Sequence, residues 1–329
     1  MKCINKLKRR LLAAILVWVL SMNSCMGSAP AFAYRTDIAY PAFTMFDIPD
    51  AYPTSLPFAM DLCVVAGNIV GRVDANTISA DGAALFNTND KTTLFAKNVF
   101  EQRHPASLTK IMTAIVALKY GTVDNLITCS ARVEGIEAGA QVVGLKQGDQ
   151  LTLSQALHLT MINSANDAAI AVAEGVAGSL DEFMLLMNRE AMSLGATGTN
   201  FANPHGLTDE NQYTSVYDMY LILNAAIKYE AFNQIIALPS YTTTYATADG
   251  GYREISVNTT NQYLTGSQSV PENITVLGGK TGTTNAAGHC LAIVASDNAG
   301  QTYLSVVMQA DTREAVYMQT TELLESINR

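Results

Sequence analysis

HPASLTKIMTAIVALKYG, residues 104–121, decides the reading of this chain. Pro105 near the start and Gly121 just past the end are helix punctuation, because proline's fixed φ suits a first turn and glycine suits a helix stop. Between them the apolar side chains, from Leu108 through Ile111, Met112, Ile115 and Val116 to Leu118, cover nearly the whole circumference. That distribution predicts a helix buried at the centre of a domain, where a surface helix would show one apolar stripe. Ser107 and Lys110 are three residues apart, so the amine can lie one turn beyond the hydroxyl and within hydrogen-bonding reach of it.

Outward from this helix the chain reads as helices in the middle and strands at both ends. Ala83–Asn87 and Thr92–Lys97 flank the polar turn 88–91, a β-hairpin pattern. Helices are expected over Ser154–Met161, Asp167–Val176, Leu180–Leu194 with Ser179 as N-cap, and Val216–Lys228 with Ser215 and Asp218 at its start. Strands return at Thr275–Thr281, His289–Ala295 and Thr302–Gln309, before a closing helix near Arg313–Ile327. Early strand material is expected around Leu62–Val70. The fold class is therefore α+β, with a sheet built from the two ends of the chain.

Two further triplets share the order of the first. Ser107-Leu-Thr-Lys110 is S-x-x-K, Ser164-Ala-Asn166 is S-x-N, and Lys280-Thr281-Gly282 is K-T-G. A serine hydroxyl is a weak nucleophile until a neighbouring base takes its proton. Lysine serves as that base only when desolvation or adjacent positive charge lowers its pKa. An apolar helix supplies the first condition and Lys280 would supply the second. The Ser107 N–H, at a helix start, can face a developing oxyanion, and the Thr283 N–H can complete the hole. On a strand edge lining a cleft, Lys280 brings charge, the Thr281 hydroxyl donates to a substrate carboxylate, and Gly282 lets the substrate backbone approach. Ser164, in a break between helices, could relay a proton to a leaving amine while the Asn166 amide holds a substrate carbonyl. Each triplet alone is a weak signal; the ordered set, each in its required context, is a strong one.

The set is similar to that of penicillin-binding proteins and class A β-lactamases. With the longer stretches His104–Ala114, Asn163–Ala169, Asn203-Pro-His-Gly-Leu207 and Gly279–Gly288, the chain resembles the low-molecular-mass D-alanyl-D-alanine carboxypeptidases of the S11 peptidase family, from about Ile78 onward. The resemblance implies a β-lactamase/transpeptidase-like fold, an antiparallel sheet flanked by helices plus a helical subdomain, with the site between them. It implies acyl-enzyme chemistry on peptidoglycan stem peptides ending in D-Ala-D-Ala, and β-lactams as inhibitors. By carry-over, Ser107 attacks the penultimate D-Ala carbonyl, Lys110 is the base, and Lys280 with Thr281 receives the terminal carboxylate. Relatives commonly show an R-E-A-R-F-like stretch after the last strand; here it is Arg313-Glu-Ala-Val-Tyr317, so Val316 replaces the second arginine. Many relatives continue into a β-rich domain and an amphipathic membrane helix, neither of which is expected here.

Two other readings use the same residues. A class A β-lactamase shares the nucleophile but deacylates with a glutamate in E-x-x-L-N, and no glutamate of this chain stands in that pattern. An idle β-lactam sensor or wall-binding module remains the alternative from a different class, against which every triplet is intact. His205 is read as a structural hydrogen-bonding residue and Cys290 as a small buried strand residue.

Composition bounds the rest. The 329 residues are 49% hydrophobic and 15% charged, enough to bury a sizeable core. Net charge is −9, and residues 1–33 hold five basic groups and no acid, so residues 34–329 carry −14. So acidic a chain lacks the electrostatic footprint of a nucleic-acid binder or of attraction to an anionic membrane. The apolar run Leu11–Leu20 and the small residues ending Ala31-Phe32-Ala33 read as a signal peptide cleaved after Ala33, with lipid attachment at Cys25 or an uncleaved anchor as alternatives. Residues 34–75 then form a tether, 76–329 the catalytic domain, and the location is extracytoplasmic. Cys63, Cys129 and Cys290 allow at most one disulfide, the four histidines are scattered, and neither a metal nor a cofactor is implied.

Overall fold

In the computed structural model, residues 61–329 are described. The expected signal peptide, the cleavage after Ala33, Cys25 and most of the tether lie outside them.

Nine strands form two antiparallel sheets among these residues. The larger has five strands, β1 (Gly82–Asn87), β2 (Thr92–Lys97), β7 (Ile274–Thr284), β8 (Gly288–Asp297) and β9 (Thr302–Ala310), in the order β2-β1-β9-β8-β7. N- and C-terminal strands meet where β1 pairs with β9, Ala84 opposite Val306. The α+β reading and the hairpin of β1 and β2 are thus present, and β7, which carries K-T-G, is an edge strand. The four-stranded sheet, β3 (Leu126–Thr128), β4 (Gln150–Thr152), β5 (Ser240–Ala246) and β6 (Tyr252–Asn258), was not expected from the sequence.

Helix α1 (Thr109–Tyr120) follows a single 3-10 turn at Ala106–Leu108 and is buried from Thr109 to Ala117. Around it lie α2 (Leu153–Ile162), α3 (Asn166–Ala177), α4 (Leu180–Ser193), α5 (Val216–Ala226) and α6 (Glu230–Ile236), the last unexpected. Caps set their starts: Thr152 and Gln155 form a capping box on α2, and the Ser179 and Ser215 hydroxyls accept from Glu182 N and Asp218 N. After the one-turn α7 (Gln262–Thr265), α8 (Arg313–Glu325) packs on the opposite face of the large sheet.

Two cores result. One, between the large sheet and the helices, joins Phe86, Ile111, Met112, Ile115, Leu157, Val172 and Tyr220; the other, beneath α8, joins Leu85, Ile293, Val307, Tyr317 and Leu323. Alternation does this: Leu85 and Phe86 are neighbours on β1 and enter different cores, as side chains on opposite faces of a strand must.

Residues 62–70 depart from expectation. Instead of a strand there is one bridge, Ile69 to Ala96. Cys63 is nonetheless fully buried, its N–H donating to Tyr220 Oη at 2.8 Å and its carbonyl accepting from Tyr217 Oη at 2.9 Å. Within the expected tether, Cys63, Val65 and Val73 are therefore buried.

Candidate active site

The turn bearing Ser107 is held in an unfavourable backbone shape. Ala106 has φ +46°, where a Cβ crowds the carbonyl, and Ala106 is buried. Two glycines make room for it. Gly206 has φ +92°, and a Cβ there would stand 1.9 Å from Ala106 O; a Cβ on Gly282 would stand 3.0 Å from both Ala106 Cβ and Ser107 N. Gly282 was expected to admit substrate; what it visibly admits is the nucleophile's own turn, pressed against the edge strand.

Lys110, wholly buried, reaches three oxygens. Its Nζ lies 3.0 Å from Ser107 Oγ, 2.7 Å from Asn166 Oδ1 and 2.5 Å from the His205 carbonyl. Burial foremost, then the positive charge of Lys280, holds this amine well below the usual lysine range, while Asp167 pulls the other way. A neutral amine has two protons and one lone pair. Asn166 Oδ1 and the His205 carbonyl accept only, so they take the protons and leave the lone pair for the Ser107 hydroxyl.

Lys280, 1% exposed, donates to Ser164 Oγ at 2.9 Å and to the Thr281 carbonyl at 3.0 Å. Burial pushes its pKa down to about 7. Ser164 falls in the break between α2 and α3 and has φ +63°. Strain of this kind costs on the order of 1–3 kcal/mol and persists where the surroundings over-determine it.

Ser107, Ser164, Thr281, Gly282 and Thr283 line one cleft of about 370 Å³. Lys110, Asn166 and Lys280 are bonded to its floor, so all eight residues singled out in the sequence converge. Thr283 Oγ1 also lies 3.1 Å from His289 Nδ1, across the β7–β8 pair.

The cleft contains residues that the triplets did not indicate. Gln141, Thr260 and Arg313 line it. Arg313, the first residue of α8, lines the cleft together with Thr281 and Gly282, and the buried Val316 lines it too. Gln141 is placed by Asp167, a fully buried carboxylate that accepts from the N–H groups of Val143, Gly144, Leu145 and Ala168 at 2.8–3.1 Å. The Gln141 carbonyl in turn accepts from Asn166 N at 2.8 Å. Only tertiary structure joins these segments; the aspartate beside S-x-N and the Arg313-Glu-Ala-Val-Tyr317 stretch were the available signals.

His205 contributes its carbonyl to Lys110, and its Nδ1 accepts from Leu207 N at 3.2 Å. Burial, then Lys110, lowers the imidazole's pKa to about 3, so it is a neutral scaffold group, as read from the sequence. Cys290, opposite Gly282 on β8, is buried, and burial pushes its thiol up to about 11. Cys63, Cys129 and Cys290 are all free and buried.

Comparison with known proteins places the chain in a family. The family profile described as D-alanyl-D-alanine carboxypeptidase, peptidase S11, matches residues 69–312. The D-alanyl-D-alanine carboxypeptidase DacF of Bacillus subtilis is 31% identical over 254 residues, covering 75% of this chain and 61% of that protein. DacC of Escherichia coli is 33% identical over 262 residues, covering 77% and 62%. The chain thus spans about three-fifths of the length of these relatives. The crystal structure of the Streptomyces K15 DD-transpeptidase superposes with a TM-score of 0.69 at 27% identity, covering 76% of this chain and 97% of that one. By its profile match, its relatives and its fold, the chain belongs to the S11 family of D-alanyl-D-alanine carboxypeptidases.

Proposed function

We propose that this chain is a serine-type carboxypeptidase that removes the terminal D-Ala from peptidoglycan stem pentapeptides through an acyl-enzyme. The observation that carries the reading is the Lys110 amine, buried beside a second lysine, with two acceptor-only oxygens on its protons and Ser107 Oγ at 3.0 Å.

In this mechanism Lys110 takes the Ser107 proton as Oγ bonds to the penultimate D-Ala carbonyl carbon. The oxyanion sits between the N–H groups of Ser107 and Thr283. Collapse breaks the C–N bond, and the departing D-Ala amine receives a proton through Ser164. Water then attacks the ester with Lys110 again as base, releasing the shortened peptide and restoring the serine. Asn166 holds Lys110 and the substrate amide. Thr281 and Arg313 on the cleft wall, with the Lys280 charge buried behind them, make an end suited to a free C-terminal carboxylate. Arg313 can supply the charge that Val316 does not. Gly282 keeps β7 against the nucleophile's turn. A β-lactam presents the same carbonyl and carboxylate, and the site of action is the cell envelope, with residues 1–33 as the export signal.

Intact mass spectrometry tests the reading. Incubation with benzylpenicillin should add one penicillin to the wild-type protein and none to Ser107→Ala, and the wild type should release D-Ala from a stem pentapeptide. Labelling without D-Ala release would mark a sensor; rapid penicillin turnover with no trapped adduct would mark a β-lactamase.

A further inference from the structure

Thr260, on the loop between β6 and α7, faces Thr281 across the cleft with 2.5 Å between the two hydroxyl oxygens. Thr260 is exposed and water could satisfy its hydroxyl, so the pairing needs a cause. The loop's backbone supplies it. Thr260 N–H donates to the carbonyl of Ile162, at the end of α2, at 3.3 Å. From the other side Tyr317, buried on α8, donates its hydroxyl to the Thr260 carbonyl at 3.3 Å and accepts from Gln262 N at 2.9 Å. Tyr317 itself is wedged edge-on against Tyr263, ring centroids 5.3 Å apart. Position 260 is thereby fixed to the break that carries Ser164 and to the helix that carries Arg313.

Two hydroxyls in one hydrogen bond consume one proton and leave one free. A carboxylate can only accept, so its arrival at Thr281 fixes the polarity of the pair: Thr260 O–H donates to Thr281 Oγ1, and Thr281 O–H donates to the carboxylate. Hydrogen bonds running in one direction polarise each other, and here the chain ends on an anion. Without Thr260, the Thr281 hydroxyl would lose both its inner donor and its rotational anchor. We propose that Thr260 is a positioning residue, whose hydroxyl aims the Thr281 proton at the terminal carboxylate of the substrate and so favours acceptor-only C-termini. The inference rests on the carboxypeptidase reading and extends it to a residue outside the three triplets.

Thr260→Val keeps the shape of an exposed side chain and removes only the hydroxyl, and Thr260→Ser restores it. With an N-acylated tripeptide ending in D-Ala-D-Ala, KM should rise about three- to tenfold in Thr260→Val, the range expected for one hydrogen bond, with kcat within about twofold. Thr260→Ser should return KM to within about twofold of wild type, and the residual turnover of the same peptide with a C-terminal carboxamide should be the same in all three proteins. Tyr317→Phe, which unpins the Thr260 carbonyl, should raise KM for the free acid in the same direction while melting cooperatively. Unchanged KM in Thr260→Val, failure of Thr260→Ser to restore it, or equal losses on acid and amide would overturn the proposal. A wild-type protein that neither cleaves the peptide nor is acylated by penicillin would instead sink the carboxypeptidase reading on which it stands.

Discussion

Lys280 Nζ lies 2.9 Å from Ser164 Oγ, so the edge strand of the large sheet is tied to the break between two helices of the helical layer. The bond spans the cleft floor and holds a serine whose φ of +63° would otherwise relax. It also puts a second buried amine close enough to Lys110 to lower its pKa, which couples the two lysines. The charge that suits Lys280 to an anion is also one that lowers the Lys110 pKa.

In the proposed mechanism that coupling sets the pH dependence of acylation. Lys110 must be neutral, so the rate rises as it deprotonates, on an acid limb well below the ordinary lysine range. Lys280 must be charged to attract a carboxylate, so the rate constant with free enzyme falls on an alkaline limb whose midpoint is about 7. Removing the second cation in Lys280→Ala should move the acid limb to higher pH, because its charge is one of the causes lowering the Lys110 pKa. Second-order acylation by benzylpenicillin, followed from pH 5 to 9, measures both limbs. A flat profile, or an acid limb unmoved in Lys280→Ala, contradicts the assignment.

Asp167→Asn tests how the cleft wall is held. The carboxylate accepts from four backbone N–H groups, three of them consecutive at Val143, Gly144 and Leu145. An amide turns one acceptor into a donor facing those groups, so stability should fall by about 2–4 kcal/mol, as for loss of charge-assisted bonds in a buried site. Amide exchange at residues 143–145 should accelerate more than exchange in α1. The acid limb of the acylation profile should also move to lower pH, since Asp167 raises the Lys110 pKa. Equal exchange in the two segments would mean that the loop is held by something else.

The central helix and the three triplets were legible because their signals are local: apolar residues all round one helix, fixed i to i+3 spacing, glycine and proline punctuation. The four-stranded sheet was not. Its β3 and β4 are three residues long, and β5 and β6 bury only Tyr245 and Val257, with Tyr241 and Ile255 packed beside them, an apolar face too short and too interrupted by Thr and Ser to read. A signal did exist in the Thr and Tyr content of Ser240–Ala246 and in the Gly250-Gly251 turn, strand and turn formers both. At the site, Arg313, Thr260 and Gln141 escaped because only the packing of α8, β6 and the Asp167 loop brings them to Ser107. The second neighbour of Gly282, the turn of Ala106 and Ser107, escaped for the same reason, since that backbone lies some 175 residues away in sequence.

His205 should make the fold acid-sensitive. Its folded pKa of about 3 lies below the ordinary 6.5, so as pH falls from 6.5 the unfolded chain binds a proton that the folded protein refuses. The stability contributed by neutral His205 is complete above pH 6.5 and drains away down to about pH 3. At pH 5 the loss from this group is about 2 kcal/mol. His205→Asn keeps an acceptor for Leu207 N and removes the titration, so its urea midpoint should fall less between pH 7 and pH 5 than that of the wild type. Parallel losses in the two proteins would show that the imidazole titrates freely.

Gly206 and Gly178 share a left-handed backbone, with φ of +92° and +79°, and differ in what surrounds them. A methyl at 178 meets nothing within 4 Å, so Gly178→Ala should cost only the conformational penalty of about 1 kcal/mol. A methyl at 206 would sit 1.9 Å from the Ala106 carbonyl oxygen and 2.4 Å from its carbon, and neither atom can move without shifting Ser107. The clash also presses on the His205 carbonyl that orients Lys110. Gly206→Ala should therefore lower stability by more than about 3 kcal/mol and, in whatever fraction folds, slow penicillin acylation by at least about tenfold, whereas Gly178→Ala acylates at the wild-type rate. Thermal melting and acylation measured on both variants separate the common cost of φ from the specific cost of crowding the nucleophile, and equal effects at the two positions would show that the Ala106–Gly206 contact does not hold Ser107 in place.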